Sequence, residues 1–191
     1  MRLILASASS RRAEILRSAG IDFESLPVNI DETPWHSEAP SHLVRRLAQA
    51  KAAAAAGRVS GAAIVVGADT EVVVDGEVLG KPVADLDACE MLRRLSGRVH
   101  EVITGLELIR LPDRATRSEL EVTRVSFAPL SADEISRYVA SGEPFDKAGG
   151  YAIQGRAGRF ITRVEGCYFN VVGLPLSRLC RALLELGWSP D

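Results

Sequence analysis

Short apolar runs that break into small and charged residues constrain this chain most. Leu3-Ile4-Leu5-Ala6 runs into Ser7-Ala8-Ser9-Ser10, and Ala63-Ile64-Val65-Val66 runs into Gly67-Ala68-Asp69-Thr70. Brief apolar runs bounded by turn-forming residues read as buried strands. Between them, Leu43, Leu47, Ala50 and Ala54 recur on one face of a helix expected from about Ser41 to Gly57. Strands alternating with helices define an α/β fold, and loops at the ends of its strands are where such a scaffold carries chemistry.

The remaining elements follow from the same signals. A helix is expected over Arg11 to Ala19, closed by Gly20, then a strand over Phe23 to Val28 and an acidic loop from Asn29 to Pro34. Asp75-Gly76 between Val72–Val74 and Glu77–Leu79 is a hairpin signal, because such a turn needs residues that tolerate positive φ. Asp87 with Glu90 opens a helix to Ser96. Long strands over Val99–Arg110 and Glu119–Ala128 follow, and then a helix opened by Ser131 and Glu134 and closed by Gly142. A strand near Arg159 to Val164, the turn GCYFNVVGLP and an amphipathic helix with Leu176, Leu179, Leu183 and Leu184 complete the chain. Helix propensity and close packing account for the Ala52 to Ala56 run without any function. No linker or long repeat interrupts the sequence, so residues 1–191 read as a single domain.

Several function classes fall away. With 23 Lys and Arg against 25 Asp and Glu, the net charge of -2 gives no general attraction to nucleic acid or anionic lipid, so any anion site must be local. The apolar run after Arg2 is too short for a signal-peptide core and no stretch has the length of a membrane span, which points to a cytoplasmic protein without a membrane partner. Cys89, Cys167 and Cys180 form no CxxC pair and are expected to be buried structural thiols, with Cys167 alone worth considering as a nucleophile. His36, His42 and His100 are scattered and no HExxH occurs, so they are expected as surface or internally satisfied residues rather than zinc ligands. No GxSxG elbow is present. The segment Gly76 to Pro82 is one residue short of a P-loop and places proline where a metal-binding hydroxyl is required.

What remains is an anion site with acids beside it. Ser7, Ser9 and Ser10, with backbone N–H groups at the start of the first helix, can donate to phosphate oxygens where the helix dipole favours negative charge, and Arg11 and Arg12 add forked donors. The plain alternative for this segment is an N-cap with a solvated face. Asp69 is expected at the end of its strand, where α/β folds place ligands, although an acid there is also a common turn residue.

LASASSRRAEIL, Glu32 in its IDE stretch, Lys51 in AQAKA, GADTEVVVDGEVLGKP, MLRRLSGRVHEVITG, DKAGGYAIQG and YFNVVGLPL resemble, in order and spacing, the Maf family of nucleoside triphosphate pyrophosphatases. The resemblance covers nearly the whole chain. It implies a two-lobed α/β fold with a mixed twisted sheet flanked by helices and a central cleft, similar to inosine triphosphate pyrophosphatases, and a homodimer. It also implies hydrolysis of a nucleoside triphosphate to the monophosphate and pyrophosphate with a divalent cation such as Mg²⁺ or Mn²⁺. By position, the catalytic acid falls on Asp69, phosphate-binding residues on Ser7 and Arg11, and base-specificity residues on Arg12, Thr70 and Gln154. Glu32 joins Asp69 near the metal, and Lys51 and Lys81 match the lysines of the cleft. Gln154 resembles the branch acting on dTTP and UTP, its amide suiting the O4 and N3–H edge of uracil and thymine. Whether Asp69 serves as general base or metal ligand is open from sequence, as is the clearance of modified nucleotides. The family's link to division arrest leaves a second reading, a nucleotide-binding regulator of septum formation with little turnover. Three positions depart from the family pattern. Ser10 replaces a usual proline, Gly80 stands where some members carry Glu, and Cys167 occupies a position often held by a small polar residue.

Overall fold

The structure, a computed structural model, describes residues 1–189. Its regular elements begin β1 (Arg2–Leu5), α1 (Ser10–Ser18), β2 (Glu24–Ser25), α2 (Pro40–Ala56), β3 (Ala63–Val74), β4 (Glu77–Leu79) and α3 (Asp85–Leu95). They continue with β5 (Val99–Leu111), β6 (Thr116–Phe127), α4 (Ala132–Val139), β7 (Ile161–Glu165), α5 (Tyr168–Val172) and α6 (Leu176–Glu185). The strands form one sheet in the order β2-β1-β3-β5-β6-β7, with β4 paired to β3. Pairing is mixed: β1 runs parallel to β2 and β3, whereas β3–β4 and β6–β7 are antiparallel. The α/β class expected from the sequence is what the chain adopts.

Contacts divide the chain into two compact units. The first holds Met1–Asp69, Thr104–Glu121 and residues from Gly173 on. Its core joins Ile4, Ala6, Ala63 and Val65 of the sheet side to Ala52, Ala55 and Ala56 of α2. Alanines there let the helix approach closely, and Gly67 extends this: a Cβ on it would lie 2.7 Å from the Ala52 backbone nitrogen. Gly105 meets the same helix, where a Cβ would come within 2.6 Å of the Val44 carbonyl carbon. Glycine in a strand here marks a backbone-to-backbone approach rather than a break.

The second unit holds Thr70–Ile103 and Val122–Val172. Its core packs Val72, Val74 and Leu79 with Leu92 of α3, Ile135 and Tyr138 of α4, and Phe127, Tyr151 and Phe160. Asp75 and Gly76 take φ of 53° and 80°, closing β3 onto β4 as their dipeptide requires. The Ser131–Glu134 capping box of α4 forms in full.

Five expectations are corrected. Asp69 is not at a strand end, because β3 continues unbroken from Ala63 to Val74 through the Gly-Ala-Asp-Thr stretch. α3 starts at Asp85, and Asp87 accepts from the Val83 backbone at 3.3 Å rather than capping the helix. The segment over Phe23 to Val28 keeps only two residues of strand, and Tyr168–Val172 coils into a short helix where a turn was expected. Leu184 is 60% exposed, so the apolar face of α6 rests on Leu179, Ala182 and Leu183.

Candidate active site

The first unit gathers Asp69, Lys51 and Glu32 into one cluster. Lys51 is buried on α2, and the close approach of that helix to β3 puts its Nζ 2.7 Å from Asp69 Oδ1. The same Nζ lies 2.6 Å from Glu32 Oε1. Asp69 is only 6% exposed, and its Oδ2 is buried with no hydrogen-bond partner. Two carboxylates thus face one ammonium, and a buried carboxylate oxygen without a partner carries a desolvation cost that a cation or a proton-bearing ligand relieves.

Glu32 sits on a loop that is firmly held. Arg46 on α2 donates through Nε and Nη2 to the two oxygens of Glu38, each at 2.7 Å, and Nη2 also reaches the Thr33 carbonyl at 3.1 Å. Glu38 further accepts from the Trp35 backbone at 3.0 Å, and the Arg46 guanidinium lies 4.2 Å from the Trp35 ring centroid. Arg46 holds the Glu38 carboxyl down at about 2. The sequence alone marks only an acidic loop here; an arginine on a helix and a glutamate on a loop pair through the fold, which local patterns do not reveal.

The phosphate-type motif is built at the start of α1. Ser9 is the N-cap and accepts from the Arg12 backbone N–H, so its side chain is committed to the helix. Ser7 Oγ accepts from the Ser9 backbone at 3.2 Å and from Arg12 Nη1 at 3.2 Å, which leaves its own hydroxyl proton to donate outward. Arg12 is buried, and its Nε donates to the Gly173 carbonyl at 2.8 Å. No sequence motif points to that carbonyl; Gly173 has φ of 127°, a conformation reserved to glycine. Arg11 is half-buried in the first turn, and Ser10 is exposed.

The second unit carries the other predicted residues. Thr70 follows Asp69 on β3 and is half-buried, while Lys81 and Gln154 are both exposed. The Gly149 backbone N–H donates to the Gly80 carbonyl at 3.0 Å, tying the third motif to the segment that presents Lys81. Gly149 has φ of 68°, and a Cβ on it would lie 2.8 Å from Val72 Cγ1, so both backbone and space call for glycine.

The cysteines and histidines take supporting places. All three cysteines are free and half-buried rather than fully buried as expected, with burial pushing the Cys180 thiol up. The backbone of Cys167 exchanges hydrogen bonds with Thr123 Oγ1. His42 is exposed and paired to Glu38, whereas His100 is buried with Nε2 2.8 Å from the Tyr151 hydroxyl, and burial lowers its pKa to about 4. Among the described residues no group of three or more His, Cys, Asp or Glu side chains is placed to hold a metal ion, and no helix is long and apolar enough to cross a membrane.

A mixed sheet with helices packed on it, a buried acid–lysine pair and an arginine-bearing helix start define an α/β protein with a charged candidate site. The model of the Maf-like protein family matches residues 2–186, and the chain belongs to that family. It is 52% identical over 187 residues to the dTTP/UTP pyrophosphatase of Symbiobacterium thermophilum, covering 98% of this chain and 95% of that one. It is 46% identical over 188 residues to the dTTP/UTP pyrophosphatase of Carboxydothermus hydrogenoformans, covering 98% and 100%. Among solved structures, the Staphylococcus aureus Ham1 protein matches with a TM-score of 0.51 and 16% identity, over 98% of this chain and 100% of that one, a likeness of fold.

Proposed function

We propose that this protein hydrolyses nucleoside triphosphates, dTTP and UTP foremost, to the nucleoside monophosphate and pyrophosphate. The observation that carries this reading is Asp69, a buried acid with one oxygen held by Lys51 and the other without a partner. In the proposed reaction water attacks the α-phosphorus and pyrophosphate leaves. Asp69 orients that water and takes its proton. Ser7 and Arg11 bind phosphate oxygens at the start of α1, where the helix dipole favours the anion, and Lys51 and Lys81 neutralise charge as it builds on the phosphates. Arg12, Thr70 and Gln154 select the base, Gln154 by offering both a donor and an acceptor to the uracil or thymine edge.

A divalent cation, Mg²⁺ or Mn²⁺, belongs to the same proposal. Glu32 and Asp69 fit it: hard oxygen donors, two acids to one ammonium, and the unpartnered Oδ2 of Asp69. When bound, such an ion neutralises phosphate charge and makes coordinated water more acidic. The relatives' shared name and about half identity support the substrate class. Three free thiols suit a reducing cytoplasm, and a homodimer completes the proposal, to be checked by sedimentation. Incubating the protein and its Asp69→Asn variant with a panel of standard and 5-methylated triphosphates, with products separated by chromatography, tests the reading. Conversion of UTP and dTTP by the native chain alone supports it; undiminished turnover by the variant overturns the role of Asp69.

A further inference from the structure

The turn that presents Gln154 is seated on a single carboxylate, that of Glu143. Ala152 to Gly155 close a turn through the Gly155 N–H to Ala152 carbonyl bond of 3.1 Å, with Gln154 at its outer corner. Directly after it, the Arg156 N–H donates to Glu143 Oε2 at 3.0 Å, and the Ala157 N–H approaches Oε1 at 3.5 Å. The Tyr138 hydroxyl donates to Oε1 at 2.9 Å from a side chain that is 1% exposed and packed edge-on against Phe160. Lys147 Nζ donates to the Glu143 backbone carbonyl at 2.7 Å, which fixes the residue from its other side.

Gly155 shows how tightly the turn lies on this group. A Cβ there would stand 2.6 Å from Glu143 Cδ and 2.7 Å from Oε2, so a side chain at this position would have to displace the carboxylate. Backbone N–H groups gathered on an ionised acceptor make strong, directional bonds. A carboxylate holding the chain immediately after a turn therefore sets the direction in which the preceding residue points.

We propose that Glu143 is a positioning residue for base selection: with Tyr138 behind it, it sets the orientation of the Gln154 turn. This rests on the reading that Gln154 meets the base. Binding geometry at a specificity group changes discrimination between bases, whereas general loosening of the unit lowers turnover on all of them alike.

The test compares kcat/KM for UTP and CTP, which differ at the O4 edge, in the native chain and in Glu143→Gln, Glu143→Ala, Tyr138→Phe and Gln154→Glu, with thermal midpoints measured in parallel. The expected result is a fall of roughly fivefold or more in UTP preference for Glu143→Ala, carried mainly by KM for UTP, and a smaller fall for Glu143→Gln and Tyr138→Phe. The loss of preference should not scale with the loss of thermal midpoint across these variants. If Gln154→Glu changes the preference while the Glu143 and Tyr138 variants keep it, Glu143 does not position the turn. If Gln154→Glu itself leaves the preference unchanged, the base-reading role fails and this proposal falls with it. Should Glu143→Ala not fold, the Glu143→Gln and Tyr138→Phe ratios decide the outcome.

Discussion

Replacing Lys51 with methionine is expected to destabilise the unit that carries Asp69 far more than replacing Asp69 with asparagine. At 2.7 Å the Lys51–Asp69 pair has a gross attraction of roughly 6 kcal/mol with an effective dielectric constant of about 20. Desolvation of the two buried ions offsets most of this, so the intact pair contributes little on its own. Removing the lysine is different, because it leaves a carboxylate buried with both oxygens unpartnered, at a cost of about 3–5 kcal/mol. Glu32 is 55% exposed, so its arm of the cluster contributes less than about 1 kcal/mol. Asp69→Asn removes the negative charge and leaves Lys51 its bond to Glu32, for an expected loss of about 1–2 kcal/mol. In the double variant the buried charge is gone, and most of the Lys51→Met penalty should vanish. Urea unfolding followed by tryptophan fluorescence suits the measurement, since Trp35 and Trp188 both lie in the first unit with the pair. If the two single losses add to the double loss within about 0.5 kcal/mol, the pair is not coupled and the reasoning is wrong.

Other outcomes follow from the same geometry. Turnover should cease in excess chelator and return with Mg²⁺ or Mn²⁺; steady hydrolysis without divalent ions contradicts the assignment of Glu32 and Asp69 to a cation. His100 titrates at about 4 in the fold against its ordinary 6.5, so the unfolded chain binds the proton first as pH falls. The contribution of His100 to stability is therefore full above pH 6.5 and declines between 6.5 and about 4, by roughly 3 kcal/mol in all, and His100→Asn should flatten that slope in urea midpoints read by circular dichroism. Parallel slopes in the two proteins would exclude His100 as the source. Gly67→Ala should push α2 from β3, costing about 1–3 kcal/mol and lowering turnover through Lys51, and an unchanged activity would show that the close approach is not needed.

Local chemistry made some of this legible in sequence and hid the rest. Asp75-Gly76 announced its hairpin because both residues must take positive φ, and Ser131 with Glu134 announced a helix start because the two satisfy each other's N–H groups. Gly67 misled: a glycine followed by Ala-Asp-Thr has the composition of a turn, but its missing side chain makes room for α2, and the strand runs on. The Ala52 to Ala56 run carries no functional signal by itself, yet its Ala52, Ala55 and Ala56 line the helix face whose closeness brings Lys51 to Asp69. Arg12 on the Gly173 carbonyl joins segments 161 residues apart, whereas Arg46 on Glu38 spans only 8 residues and Glu143 under the Gln154 turn only 13. No spacing rule encodes such pairs; each depends on the path that the intervening chain takes.

The bond that is broken tests the central claim most directly. With UTP or dTTP in water enriched in ¹⁸O, attack at the α-phosphorus places the label in the monophosphate and releases unlabelled pyrophosphate. That is the expected result, with both products formed in equal amounts and lost together in Asp69→Asn. Release of labelled orthophosphate with the nucleoside diphosphate would mean attack at the γ-phosphorus, and would contradict the account.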